Sequence, residues 1–132
     1  GYSMRDVVNM ASLIEKEAAN NDERSVIASV IFNRIKGNMT LGLECSLLYL
    51  HPEHEGAPTA EMYEEESPYN LMKNTGLPPT PICNPGLASI YAVLNPATTN
   101  YYYYSLDTES GTHRFFNDYN DFLNFVATQD YS

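Results

Sequence analysis

The sequence predicts an α+β fold in which amphipathic helices pack with a small antiparallel β-hairpin, and two observations point to it. Helical periodicity fills the first 36 residues, while β-favouring runs split by a turn occur only after residue 100. Helices first and strands late give an α+β pattern rather than alternating βαβ units. At 132 residues there is room for one sizeable core, and the 43% hydrophobic share excludes global disorder. Residues 1–132 are therefore expected to form a single domain.

Over residues 4 to 19, Met4, Val7, Val8, Ala11, Ile14 and Ala18 recur at the three-and-four spacing of an amphipathic helix. Asn20-Asn21-Asp22-Glu23 then offers N-cap candidates and first-turn acids ahead of Val26, Ile27, Val30, Ile31 and Ile35, and Gly37 closes this second helix near Lys36. The short join makes the two helices neighbours. A short apolar segment, Ser46 to Leu50, stops at Pro52. Glu53 to Glu66 holds six of the seventeen acids and no Lys or Arg, which predicts a solvated excursion with one helical turn after Thr59. Five prolines between residues 67 and 86 exclude regular structure over most of that stretch. Asn84-Pro85 reads as the start of a further helix, with Leu87, Ile90 and Leu94 as its buried stripe and Asn95-Pro96 as its stop. Tyr101 to Leu106 and His113 to Phe116 form the hairpin, and a last helix from about Asp118 buries Phe122, Phe125 and Val126.

Seven Lys and Arg against seventeen Asp and Glu leave a formal charge of -10. Such a surface lacks the general attraction to phosphate that drives non-specific nucleic-acid binding, and it is repelled by anionic membranes. No apolar run approaches the roughly 18 residues needed to span a bilayer, and the first residues lack the features of a secretion signal. Opening almost directly into a helix, the chain reads as a soluble piece of a longer protein.

The first helix ends in Glu15-Lys16-Glu17. Residues two apart on a helix point roughly 200° apart, so only one of these carboxyls can face a given cleft. Glu15 has Ala11 and Ser12 one turn earlier, whereas Glu17 has Leu13 and Ile14, which strip water from a carboxyl and favour its protonated form. A carboxyl that stays protonated near neutral pH and can take the proton back suits general-acid catalysis on a glycosidic oxygen. The pattern alone fits a surface Glu at a Glu/Lys/Glu helix end better.

The order of several motifs is more specific. Ala11 to Ala18, Glu23-Arg24, Phe32-Asn33-Arg34, Met39-Thr40-Leu41, Ser67-Pro68-Tyr69-Asn70, Gly76-Leu77-Pro78-Pro79, Asn84-Pro85-Gly86, Leu94-Asn95-Pro96 and His113-Arg114-Phe115 closely resemble the YceG-like family of endolytic murein transglycosylases (MltG) over nearly the whole chain. The resemblance implies a lysozyme-like catalytic helix, and the catalytic domain of a cell-wall enzyme on the extracytoplasmic face of the membrane. Its anchor and LysM-like region would lie outside this chain. It implies peptidoglycan glycan strands as substrate, elongation proteins as partners and no cofactor. The family's catalytic Glu falls on Glu17. One such Glu protonates the oxygen bridging N-acetylmuramic acid and N-acetylglucosamine, then deprotonates the muramic 6-hydroxyl, which closes to a 1,6-anhydro sugar.

Where the family usually has Leu-Gln-x-Asp, this chain reads Leu41-Gly42-Leu43-Glu44. Tyr69, Asn70, Asn33, Glu44 and His113 are the candidate substrate-binding residues. Tyr69 offers a ring to a pyranose face and Asn70 an amide to its substituents, with the Pro-rich loop as the cleft wall opposite the catalytic helix, although turn chemistry ahead of that loop explains both residues equally well. Arg34 can face the cleft or answer the helix dipole. Tyr101 to Tyr104 reads as packing, because strand alternation sends half of these rings to each face. His51-Pro52-Glu53-His54-Glu55 has metal-ligand residue types, but Pro52 keeps the two His residues off one helical face, so no metal site is expected. Cys45 and Cys83 either pair, which would stabilise by roughly 4 kcal/mol, or remain free thiols. Two functional alternatives remain: a module that binds glycan or elongation proteins without cleaving, and a muramidase that uses water.

Overall fold

The computed structural model describes residues 2–131. In chain order it contains α1 (Met4–Glu17), a 3-10 turn (Asn21–Glu23), α2 (Arg24–Lys36), α3 (Cys45–Leu50), α4 (Ala60–Tyr63), α5 (Leu87–Leu94), β1 (Tyr103–Asp107), β2 (Thr112–Phe116) and α6 (Tyr119–Val126). The mixed α+β class expected from the sequence is the one observed.

Helix α1 is the centre of the molecule and packs against α2, α3 and α5. Ser3 caps it by accepting from the Asp6 amide, and Asp6 answers the Ser3 amide, so both early donors are satisfied. Its buried surface is broader than the expected stripe. Met10, Leu13 and Ile14 are fully buried together with Ile27, Ile31, Leu47 and Leu71, whereas Met4 at the first turn is exposed. Wrapping by three helices, rather than docking on one, accounts for the difference.

A second stripe on α1 is polar. The Asn9 amide donates to the Pro78 carbonyl at 2.7 Å, and the Ser12 hydroxyl accepts from the Ile82 amide at 3.1 Å. Glu15 Oε1 accepts from the Gly86 amide and from the Ser89 hydroxyl, each at 2.9 Å. Asn9, Ser12 and Glu15, spaced by three, thus stitch the Pro-rich loop and the start of α5 to the central helix. That loop is irregular as expected, tied also by Gly42 N to Leu71 O at 2.9 Å and by a bridge between Thr40 and Thr75.

Helix α5 departs from its expected register. It begins at Leu87 with Gly86 as N-cap, not at Pro85, and it buries Ser89, Ala92 and Val93. Leu87 and Leu94 lie outside, at 84% and 58% exposure. Small residues let α5 approach α1 closely, and Glu15 holds that rotation through Gly86 and Ser89. Ile90 does pack against the core.

The hairpin pairs Tyr103 with Phe116 and Tyr104 with Phe115, and Gly111 takes the positive φ of its turn. Alternation directs Tyr104 and Phe115 to the core, while Tyr103 stacks on Phe122 of α6 at 5.5 Å between ring centroids. Phe122, Phe125 and Val126 are half-buried rather than buried, because α6 lies on the hairpin and not over the central core.

Candidate active site

Glu17 is the last residue of α1, where the chain leaves the helix through Ala18. It borders two adjoining cavities of about 520 Å³ and about 650 Å³, and Glu44 is the other residue common to both. The first lies between the α2–α3 connection, the hairpin and α6, with Arg34, Leu43, Tyr104, His113 and Phe122 on its walls. The second lies against α3, with Cys45, Leu48, Tyr49 and Ile82. A larger cavity of about 720 Å³ runs along the outer face of α5, away from Glu17. The paired cavities are the better candidate because the perturbed carboxyl sits at their junction.

Burial raises the Glu17 carboxyl above the ordinary value of 4.5. Its place at a helix C-terminus, where unpaired carbonyls make the potential negative, works in the same direction. The charge of Glu44 adds to the rise, while the Tyr104 hydroxyl, the charge of His113 and the Cys45 thiol oppose it. Tyr104 donates to Glu17 Oε1 at 2.6 Å. Burial, then the charge of Glu17 and that bond, push the Tyr104 hydroxyl well above its ordinary range, so it remains a donor.

Glu15 behaves differently, as the 200° offset predicts. The Gly86 amide first, then the Ser89 hydroxyl, hold its carboxyl below the ordinary range. Arg24 stands 3.7 Å away. It is occupied in capping α5.

The candidate substrate-binding residues separate into two groups. Glu44 and His113 come together with Glu17. Glu44 accepts from the Tyr63 hydroxyl at 2.8 Å, and burial together with that carboxylate pushes Tyr63 up to about 12. His113 lies edge-on to Tyr104 at 5.2 Å, and its Nδ1 is 2.8 Å from Glu23 Oε1. Burial pushes the Glu23 carboxyl up, but the bonds from His113 and the Ala19 amide outweigh it and leave the carboxyl lowered.

Tyr69, Asn70 and Asn33 do not reach the cleft. Asn70 is fully buried; its amide donates to the carbonyls of Tyr63 and Glu65, and its oxygen accepts from the Met72 amide. A side chain with every polar atom spent inside the loop has nothing left for a sugar, and its role is to shape the loop. Tyr69 bonds Thr80 through its hydroxyl at 2.8 Å, packs its ring on Tyr49 at 5.5 Å, and borders neither cavity at Glu17. Asn33 donates to the carbonyls of Thr99 and Tyr101, which fastens the chain leading into the hairpin.

The cleft wall accordingly differs from the one expected. The α2–α3 connection and α3 on one side and the hairpin with α6 on the other supply most of it, and from the Pro-rich loop only Ile82 lines either cavity. Arg34 holds the floor: it donates to the carbonyls of Tyr102, Thr40 and Leu41 and lies over the Tyr103 ring. Gly42, with φ of 64°, fits beside it, since a Cβ there would come within 3.0 Å of the Arg34 guanidinium. Tyr104 and Tyr63, the two hydroxyls that hold the cleft carboxylates, were not singled out from the sequence. Strand alternation did show that alternate tyrosines must face inward, but not toward which partner.

His51 pairs with Glu65, His54 Nε2 is 2.8 Å from the Ala57 carbonyl, and no group of three or more metal-ligating side chains is arranged among the described residues. Cys45 and Cys83 are free thiols. Cys83 donates to the Ser12 carbonyl at 3.4 Å, and burial, with Glu17 next, raises the Cys45 thiol. No helix among the described residues is long and apolar enough to cross a membrane.

Known proteins share both the sequence pattern and the fold of this chain. The sequence model of the YceG-like family matches residues 1–128, and the chain belongs to that family. It is 43% identical over 102 residues to an endolytic murein transglycosylase of Bacillus subtilis, covering 77% of this chain and 28% of that protein. It is 30% identical over 132 aligned positions to one of Streptococcus pneumoniae, covering 95% of this chain and 24% of the other. A crystal structure of a yceG-like protein from Listeria monocytogenes superimposes with a TM-score of 0.87 at 38% identity, over 92% of this chain and 40% of that one. The chain thus spans about a quarter of the curated relatives it matches.

Proposed function

We propose that this domain is the catalytic unit of an endolytic peptidoglycan lytic transglycosylase, a carbon–oxygen lyase of cell-wall assembly, with Glu17 as acid and base. The observation that carries the reading is that, of the two carboxyls at the junction of the cavities, Glu17 is the one raised by burial, with Tyr104 bonded to it. Two cavities meeting at the acid suit a chain that continues on both sides of the cleaved bond. The names of the relatives point to the same substrate.

Protonated Glu17 donates to the oxygen that leaves with N-acetylglucosamine as the C1–O4 bond of N-acetylmuramic acid breaks. The resulting carboxylate takes the proton of the muramic 6-hydroxyl as O6 bonds to C1, so Glu17 returns to its starting state. Leu41, Leu43, Leu106, Phe122 and Val126 make the larger part of one wall apolar. A drier wall favours the internal hydroxyl over water as nucleophile. Glu44 and His113 remain as groups for the sugar's polar substituents. In the full-length protein this chemistry belongs on the extracytoplasmic face of the cell membrane, where elongation proteins would be its partners.

Glu44 beside Glu17 gives one reason to keep the muramidase reading, because a second carboxylate can activate water. Mass spectrometry of peptidoglycan digested by this domain decides. Anhydro-ended fragments are expected; reducing-ended fragments would establish the muramidase, and no release would favour a binding module.

A further inference from the structure

We propose that Tyr104 is a positioning residue for the Glu17 chemistry: by donating to Oε1 it confines the acidic proton to Oε2 and steadies the carboxylate formed when that proton leaves. The proposal rests on the transglycosylase reading for its reaction, and on the following geometry for itself.

The Tyr104 hydroxyl lies 2.6 Å from Glu17 Oε1, joining β1 to the end of α1. Its ring has little freedom. It pairs across the hairpin with Phe115, whose ring is 5.7 Å away, and His113 meets it edge-on at 5.2 Å. His113 is fixed in turn, since Glu23 accepts from its backbone amide and bonds its Nδ1. Glu23 also accepts from the Ala19 amide just beyond α1, so the clamp closes on the helix that carries Glu17. A hydroxyl held this way needs no reorganisation as charge develops.

A carboxylic acid has one protonated and one carbonyl oxygen. With a donor on Oε1, the form that keeps the bond has its proton on Oε2, which makes Oε2 the delivering atom. After transfer to the leaving oxygen, Tyr104 stabilises the negative carboxylate through Oε1, and Oε2 receives the proton of the 6-hydroxyl. The proton enters and leaves by the same oxygen, and no further reactant is needed.

Other charged and titratable groups face Glu17, so the test must read that residue directly. His113 stands beside Tyr104, Glu44 and Cys45 at the start of α3, Arg34 across the first cavity, and Lys16 beside the second. With selectively 13C-labelled glutamate, the Glu17 carboxyl is titrated by NMR in the wild-type chain and in Tyr104→Phe, and anhydro-product release is followed against pH in both. Losing a donor to the ionised form should move the Glu17 midpoint upward, and the high-pH limb of activity with it, while turnover at the optimum falls about tenfold, as expected for one hydrogen bond to a charged group. Site-specific 3,5-difluorotyrosine at position 104, a stronger donor of nearly the same shape, should move the midpoint downward. It keeps the test valid if Tyr104→Phe folds poorly. A Glu17 midpoint that is unmoved or lowered in Tyr104→Phe, or unmoved by fluorination, overturns the proposal. Should the wild-type chain release no anhydro-ended product, the transglycosylase reading fails, and the carboxyl titration still decides the role of Tyr104.

Discussion

Replacing Glu17 with Gln should stabilise the domain at alkaline pH while abolishing its chemistry. An unfolded Glu titrates near 4.5, and burial raises the folded value above that. Between those two values the folded chain holds a proton that the unfolded chain has released. Stability therefore falls as pH rises through this window, by up to about 1.4 kcal/mol per pH unit, and levels off above the folded value. Gln has nearly the same volume and does not titrate, and its amide oxygen can still accept from Tyr104. The gain of Glu17→Gln over wild type should thus be near zero at pH 4 and grow toward pH 8. Each unit of the window is worth about 5 °C in Tm for a domain of this size. Calorimetric melts of both proteins at pH 4, 6 and 8, alongside the product assay, measure it. A Tm difference that stays constant across the three, or shrinks as pH rises, would show that Glu17 is not held protonated by the fold.

Glu15→Ala should cost about 1–3 kcal/mol of stability, because the Gly86 amide and Ser89 hydroxyl lose their acceptor, while cleavage per folded molecule stays near wild type. As its carboxyl is lowered, that contribution is present above pH 4.5 and lost as pH falls through the folded value, which melts at pH 3 and pH 7 will separate. Replacing Glu64, Glu65 and Glu66 with Gln should barely change cleavage, since Glu64 and Glu66 pair with Lys73 and Glu65 with His51 at the edge of the fold. A large loss in the folded variant would make that loop part of the working cleft.

The raised carboxyl of Glu17, the proposed catalytic group, was legible because both of its determinants are local to one helix. Rotation along α1 separates Glu15 from Glu17, and Leu13 and Ile14 precede Glu17 by one turn. The cleft around it was not, because its walls are assembled from afar: Tyr104 lies 87 residues from Glu17 in sequence. Asn70 shows the converse error. An amide beside a tyrosine before a Pro-rich loop looks available to a sugar, yet the loop consumes all its hydrogen-bonding capacity. In α5 the apolar stripe pointed the wrong way, since close approach to α1 selects Ser89 and Ala92 over Leu87 and Leu94, a preference of packing that hydrophobicity does not encode. The acidic loop reads as unpartnered only within its own span; Lys73 follows it at the edge of the Pro-rich loop.

An acid that must later act as a base is poorly served by any environment that strongly favours one of its states. Burial, the end of α1 and Glu44 push Glu17 toward its protonated form; Tyr104, His113 and the Cys45 thiol push it toward the carboxylate, and the proposed cycle needs both in turn. The two sets come largely from different parts of the fold. Those favouring the proton belong to the helical core, formed by α1 and the approach to α3, and of those favouring the anion the two strongest, Tyr104 and His113, come from the hairpin, with the Cys45 thiol of α3 the weakest. On the proposed mechanism, docking the hairpin on the end of α1 supplies the main groups that favour the anion, so that a carboxylic acid held protonated by the helical core can also cycle. The Glu23–His113 clamp, which joins β2 to the segment following α1, fixes that docking.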